Sequence, residues 1–178
     1  MAMLPAMGLY LVSLWSHLKG VRGRALLAAG FLFTATVSGA LSLAREAVSD
    51  YQLFGRDAVE AARYIEENTP GDAVFLTGQQ HNNAVAALAG RDIVCGTGSY
   101  LYFHGVDYSV QQQDQRTMLE RPGECRTLLE QYGVDYVYIS EYERSSYAVD
   151  EAWFAENAEL AFSAGSVCVY RAPDGHWR

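Results

Sequence analysis

A histidine and an aspartate three residues apart are the first candidates for chemistry in this sequence. His104 and Asp107 lie in the segment HGVDY, where an imidazole and a carboxylate could share a metal ion or act as an acid–base pair. A metal site needs further ligands at short spacing, and no second histidine or acidic cluster accompanies them. The pattern favours a hydrogen bond that orders the loop, so we predict neither a metal site nor catalytic residues.

Tyrosines concentrate in the same region, because eight of the twelve fall between Tyr100 and Tyr147. Strand propensity explains those in VDYVYIS, whereas Tyr100, Tyr102 and Tyr108 lie in a glycine-punctuated loop. Amphipathic rings there suit sugar faces or the headgroup level of a membrane. Arg91 could orient this loop by ion pairing, although surface ion pairs commonly have little consequence. The predicted substrate-binding residues are Arg91, Tyr100, Tyr102, His104, Asp107 and Tyr108.

A glycine-rich turn and three cysteines complete the set of reactive groups. Gly96-Thr97-Gly98-Ser99 follows a predicted strand, where glycines let a phosphate approach the backbone. A dinucleotide fingerprint needs a third glycine opening a helix, and a P-loop needs Gly-Lys-Ser/Thr; neither follows. Cys95, Cys125 and Cys168 are too scattered for a zinc site and allow at most one disulfide. We predict no cofactor.

Charge is divided unevenly along the 178 residues. Residues 1 to 45 hold four basic groups and no acid, while residues 46 to 178 hold 9 basic and 21 acidic groups, a net charge of −12. This split indicates an apolar head followed by a polar body long enough for a core of its own. A body this acidic lacks the basic stripe that phosphate backbones require, so nucleic acid is excluded as a partner.

The head, residues 1–45, is predicted to be a membrane segment. Residues 25–44 are 20 uncharged residues, which as a helix span the roughly 30 Å of a bilayer's hydrocarbon core. Residues 2–18 are also apolar and predict a second helix, although a proline and a glycine interrupt them. The connector LKGVRGR carries three positive charges, which places it in the cytoplasm and the body, residues 46–178, outside it.

Two observations bear on the partners of this head. Gly30, Thr34, Ser38 and Ser42 recur at four-residue spacing, which is the small-residue stripe by which transmembrane helices pack together. We therefore expect the lipid bilayer and further transmembrane helices as partners. A competing interpretation takes residues 1–24 as a basic leader and residues 25–44 as a signal peptide with Ser42-Leu43-Ala44 as its cleavage site, although this stretch is longer than a typical signal-peptide core. That interpretation predicts a secreted α/β enzyme.

The body alternates between helical and strand patterns. A helix over residues 46–68 ends at Asn68-Thr69-Pro70-Gly71. Strands are predicted at residues 73–77, 92–96 and 134–140, a terminal hairpin at 159–164 and 167–171, and helices at 82–89, 109–119, 123–132 and 151–154. Strands separated by helices predict an α/β fold, a mainly parallel three-layer sheet with an antiparallel C-terminal edge.

Three stretches of this body resemble a known family. DAVEAARYIEENTPGDAVFLT, LAGRDIVCGTGSYLYFHGVDY and LLEQYGVDYVYIS with a closing CVYR are similar to the C-terminal extracytoplasmic domain of bacterial membrane glycosyltransferases of the GT-C superfamily, the dolichyl-phosphate-mannose-mannosyltransferase-like group. The resemblance implies transfer of a sugar from a polyprenyl-phosphate carrier, with an acidic catalytic residue in a first extracytoplasmic loop that this sequence lacks. Gln111, Gln112 and Gln113 stand where related sequences commonly carry an arginine.

Two hypotheses follow. The first is the C-terminal part of such a polytopic transferase in the cell membrane, whose soluble domain assists acceptor or carrier binding without catalysing transfer alone. The alternative is a membrane-anchored extracytoplasmic binding or interaction module without catalytic activity. An apolar exposed surface on the domain favours the first hypothesis, whereas a domain that is polar all round favours the second.

Overall fold

The computed structural model of the chain describes residues 3–18, 20–173 and 177, so Lys19 of the basic connector lies outside the described residues. The chain forms two compact units, residues 1–51 and 52–178. The first unit contains two helices, α1 (Met3–His17) and α2 (Val21–Val48).

Helix α2 is longer than the predicted 25–44 segment. Its 28 residues correspond to about 42 Å of helix, and within the described residues it alone is long and apolar enough to cross a membrane, as an anchor or as a signal sequence. Helix α1 has 15 residues. The Thr34 and Ser42 hydroxyls donate to the carbonyls of Gly30 and Ser38, each at 3.0 Å, so these polar groups of the stripe are satisfied inside the helix.

The second unit is a mixed α/β fold. In chain order its elements are α3 (Arg56–Asn68), β1 (Val74–Leu76), α4 (Ala84–Ala87), β2 (Asp92–Ile93), α5 (Gly98–Phe103), α6 (Ser109–Glu120), a 3-10 turn (Pro122–Glu124), α7 (Arg126–Gln131), β3 (Val134–Ile139), α8 (Glu141–Ser146), α9 (Glu151–Asn157), β4 (Glu159–Ala164) and β5 (Val167–Arg171). The five strands form one sheet in the order β2-β1-β3-β5-β4.

Alternation along the strands creates an apolar core on each side of this sheet. Tyr136 and Tyr138 belong to the core under α3 and α4, whereas Val137 and Ile139 belong to the core under α6, α7 and α9. Successive side chains of a strand point to opposite faces, so a strand that is apolar at nearly every position is buried on both sides. The Phe75 and Tyr136 rings of neighbouring strands stack at 4.9 Å between centroids.

The expected mainly parallel sheet is only partly present. Strand β1 pairs in parallel with β2 and β3, but β5 pairs antiparallel with both β3 and β4. Two of the four strand pairings are therefore antiparallel, because the C-terminal hairpin adds two strands to the three parallel ones. The hairpin itself spans the predicted residues.

Three helices of the second unit differ from the sequence prediction. The helix that opens the domain begins at Arg56 rather than near residue 46, since α2 ends at Val48 and residues 49–55 are non-helical. Helix α5 forms inside the segment expected to be a loop. Helix α8 follows β3 directly, because Ser140 and Glu143 form a capping box at its start.

Candidate functional site

The carboxyl ends of the parallel strands β1 and β3 meet at the point where the order of the strands in the sheet reverses. From β1 the chain passes to β2 on one side and then returns to β3 on the other side. In open α/β sheets ligands commonly bind at such a point. Thr77 to Gln80 follow β1 there, and Ser140 to Glu143 follow β3.

The protein's own side chains fill the centre of this crevice. The buried Glu143 carboxylate accepts hydrogen bonds from the Gly78 nitrogen at 2.9 Å and the Ser140 nitrogen at 2.9 Å, and the Ser140 hydroxyl also donates to it. A Cβ on Gly78 would lie 2.7 Å from the Tyr147 ring and 2.9 Å from the Tyr142 ring. The crevice is therefore a packed joint between the two strands, with glycine required by close approach.

An open groove of about 550 Å³ lies beside this joint, on the α3 and α4 side of β3. Tyr138 and Ser140 belong to it, and burial raises the pKa of the Tyr138 phenol. Its charged lining residues are Arg56, Asp57 and Glu141. The Asp57 carboxylate is oriented by the Ser166 nitrogen, which donates to it at 2.9 Å. The remaining lining residues are Leu53, Phe54, Gly55, Ala58, Gln80, Asn82, Ala84, Tyr142, Ser145, Ser166 and Val167.

Sequence reasoning did not identify this groove. The sequence feature that could have indicated it is the polar run directly after VDYVYIS, because this run lies at the carboxyl end of β3. The groove also needs the start of α3 and the β4–β5 turn beside β3, and that adjacency depends on a strand order that periodicity does not determine.

Three of the predicted substrate-binding residues lie together. Tyr102, Asp107 and Tyr108 line a shallow open depression of about 430 Å³ over the α5–α6 connection. Gly105, Val106, Ser109 and Gln112 complete its lining. Tyr108 packs over Gly98 so closely that a Cβ there would lie 2.9 Å from the phenol oxygen. We call this feature the loop depression.

Asp107 carries the only carboxylate of the loop depression. The Ser109 nitrogen donates to its Oδ1 at 3.1 Å, and the Ser109 hydroxyl donates to the same oxygen. These bonds lower the pKa of Asp107, so it is ionised at neutral pH. His104, the presumed partner in the sequence, is an exposed residue that ends α5, and its nitrogen donates to the Tyr100 carbonyl at 3.1 Å.

Three side-chain hydrogen bonds attach the α5–α6 segment to the residues after β1. Tyr100 Oη and His81 Nε2 are 2.9 Å apart. The centroids of the two rings are 4.6 Å apart and their planes are tilted by 35°. The Thr97 hydroxyl donates to the Gln80 carbonyl at 3.1 Å, and the Gln112 amide donates to Gln79 Oε1 at 2.9 Å. His81 is therefore one of the groups that position the α5–α6 segment.

Buried Gln115 anchors helix α6 under the same segment. Its amide nitrogen donates to the Thr77 carbonyl, and to the Cys95 carbonyl at 3.3 Å. Within the described part of the chain its Oε1 has no hydrogen-bond partner. Burial raises the pKa of the Cys95 thiol, as expected for an inert thiol, and all three cysteines are unbridged.

The Arg91 side chain is hydrogen-bonded to the carboxyl end of α3. Its guanidinium donates to the carbonyls of Glu66 at 2.9 Å and Thr69 at 3.0 Å, and to the Thr69 hydroxyl at 3.0 Å. A cation at the carboxyl end of a helix satisfies its last carbonyls and complements the helix dipole. In the residues that the structure describes, no cluster of three or more His, Cys, Asp or Glu side chains is placed to hold a metal ion.

No protein-family model and no curated protein match this chain. Eight chains of solved structures match it. One is the crystal structure of the C-terminal globular domain of the oligosaccharyltransferase from Archaeoglobus fulgidus, with 15% identity and a TM-score of 0.48 over 67% of this chain and 99% of that chain. A likeness of this degree carries no inference about function.

Proposed function

We propose that the chain is the C-terminal part of a polytopic membrane glycosyltransferase that uses a polyprenyl-phosphate-linked sugar. Its α/β domain would bind the sugar of the carrier, or a sugar-like acceptor, at the loop depression. The observation that carries the proposal is this depression, where the exposed Tyr102, the half-buried Tyr108 and the ionised carboxylate of Asp107 lie together. The sequence resemblance supports the class of reaction, and helix α2 supports attachment to a membrane.

The residues of the loop depression suit a neutral polyhydroxylated ligand. Tyrosine rings present apolar faces to the C–H groups of a sugar and keep a polar hydroxyl at the edge. Both Ser109 bonds reach Oδ1 of Asp107, so Oδ2 would accept a hydrogen bond from a sugar hydroxyl. A carboxylate repels phosphate, and Gln111 to Gln113 offer no charge, so another part of the enzyme would bind the carrier phosphate.

The domain would not supply the catalytic acid or base. Asp107 is fully exposed and its pKa is lowered, whereas a general acid or base works best with a pKa near the operating pH. The resemblance implies that the catalytic carboxylate belongs to an extracytoplasmic loop that precedes these helices.

Binding of a short-chain carrier tests this proposal. The full chain, reconstituted in phosphatidylcholine nanodiscs, is titrated with farnesyl-phosphoryl-mannose and farnesyl-phosphoryl-glucose while saturation transfer to the sugar protons is measured. We expect transfer for at least one of them. A hydrogen bond to a charged group contributes about 1.5 kcal/mol or more, so Asp107→Asn should weaken binding about tenfold, and Tyr102→Ala should reduce the transfer.

The matched control is Leu160→Ala, an exposed apolar residue of the edge strand β4, which should bind like the wild type. Equal binding by the wild type and all three variants, or no binding of either carrier, would refute the role given to the loop depression.

The groove beside β3 favours the second candidate function, a membrane-anchored binding module. It combines one cation, two carboxylates and several hydroxyls in about 550 Å³, within the usual range of ligand pockets. If Tyr142→Ala and Asn82→Ala abolish binding of a free sugar while Tyr102→Ala has no effect, the binding module becomes the better interpretation.

A further inference from the structure

We propose that the exposed apolar side chains of the α5–α6 segment enter the headgroup region of the lipid bilayer. These side chains are Tyr100, Tyr102, Phe103, Val106 and Val110, and we call them the aromatic patch. The inference does not depend on the proposed sugar ligand, because it concerns a lipid surface that contains no carrier.

The patch is a local concentration of apolar surface. In the second unit nine large hydrophobic side chains are exposed among the described residues, and five of these nine lie within residues 100–110. Phe103 is 83% exposed and Tyr102 is 71% exposed. Single exposed apolar residues are ordinary, whereas a contiguous cluster marks an interaction surface. Burying one such side chain contributes about 2 kcal/mol.

The same segment is almost free of charge. Among Asp, Glu, Lys and Arg, residues 96–113 contain only Asp107, together with the exposed His104, in a body whose net charge is −12. Ser109 already satisfies one oxygen of that carboxylate, which reduces the cost of moving it toward a less polar environment. The rest of the body has a net charge of −11, which anionic lipids repel, so this segment can approach a membrane with little electrostatic repulsion.

The residue types favour lipid over a protein partner. Tyrosine is enriched at the headgroup level, because its apolar ring can enter the lipid while its hydroxyl reaches water. The patch contains two tyrosines and a phenylalanine. Protein interfaces share the enrichment in tyrosine and phenylalanine, but they are also enriched in arginine, which is absent from residues 92–115. Only residues 49–55 separate the end of α2 from α3, a tether of at most about 25 Å, so the domain stays close to any bilayer that α2 crosses.

Site-specific fluorine labels test this inference. 4-Trifluoromethyl-phenylalanine is incorporated at Phe103, or at Leu160 as the matched control, and the full chain is placed in phosphatidylcholine vesicles without carrier lipid. Leu160 is also exposed, at 54%, but lies on β4. A spin label on the acyl chain near the headgroup should abolish the resonance at position 103 and leave the resonance at 160 intact.

Two other outcomes would overturn the inference. Broadening at 103 by a water-soluble gadolinium chelate, equal to that at 160, would mean that the patch remains in water. Protection of 103 from both reagents would mean that protein covers the patch. Because these vesicles contain no sugar, the fluorine-label experiment and the carrier-binding titration are independent. A negative result in either one leaves the other unaffected.

Discussion

The Glu143 carboxylate accepts a hydrogen bond from the Gly78 nitrogen at 2.9 Å and thereby joins the residues after β3 to those after β1. The second oxygen of the same carboxylate caps α8 through the Ser140 nitrogen. One buried side chain thus joins the two strands at the point where the strand order reverses, and the groove and the α5–α6 segment both lie beside this point.

Removing this carboxylate should destabilise the domain. Glu143→Ala leaves the buried nitrogens of Gly78 and Ser140 without an acceptor, which should lower the free energy of unfolding by about 3 kcal/mol. Thermal unfolding of the full chain in nanodiscs, followed by near-ultraviolet circular dichroism, measures the effect. Glu141→Ala, on the exposed side of the same helix, should change it by about 0.5 kcal/mol or less. Similar losses for the two variants would contradict the assignment.

The turn between β4 and β5 requires glycine for two reasons. Gly165 has a φ of +54°, and a Cβ on it would overlap the Asp57 carboxylate. Gly90 is the control, since its φ is +63° and there is open space around it. Gly90→Ala should lower the free energy of unfolding by about 1–2 kcal/mol from conformation alone. Gly165→Ala should lower it by more. In a double-mutant cycle with Asp57→Ala, the two losses should be less than additive. Additive losses would show that the overlap has no energetic effect.

Ser109 should control the ionisation of Asp107. Its nitrogen and hydroxyl favour the charged carboxylate, so Ser109→Ala should move the pKa of Asp107 back toward its ordinary value. Because the folded pKa is lowered, this contribution to stability is present at neutral pH and is lost as the pH falls below about 4. Carbon-detected NMR titration of the Asp107 carboxyl measures the change. An unchanged pKa in Ser109→Ala would contradict the hydrogen bonds seen here.

Arg91 should stabilise α3 whether or not it contacts a ligand. Arg91→Gln removes hydrogen bonds to the Glu66 and Thr69 carbonyls and should lower the free energy of unfolding by about 1–2 kcal/mol. Arg63→Gln, an exposed position on the same helix, is the control and should have little effect. If Arg91→Gln keeps its stability but loses carrier binding, Arg91 is a ligand residue rather than a helix cap.

Strong local patterns allowed much of the fold to be predicted. The hairpin at 159–171 and the strand VDYVYIS were found because apolar alternation and turn residues agree there. The apolar helix was also found, but its first and last turns contain Arg22 and Arg45, and these charged residues concealed its full extent. In a helix that crosses a bilayer, the ends can carry charge because they project beyond the apolar layer.

Other elements depend on contacts that the sequence does not display. Helix α5 begins at Gly98 within a glycine-rich segment, where helix propensity is low, and its attachment through His81 joins residues far apart in the chain. Helix α8 was missed although Ser140 and Glu143 show the capping-box spacing, which is a readable signal. The roles of Tyr102, Asp107 and Tyr108 in binding remain predictions.

The proposal that this chain belongs to a larger transferase is tested most directly on the polypeptide in its source membranes. An antibody against residues 46–178 isolates that polypeptide from detergent extracts, and mass spectrometry determines its full sequence. A polypeptide several times larger than 19.6 kDa, with many transmembrane helices, an acidic extracytoplasmic loop and sugar transfer from a polyprenyl-phosphate carrier, is the predicted result. A polypeptide of 19.6 kDa without that activity would contradict the account and favour the membrane-anchored binding module.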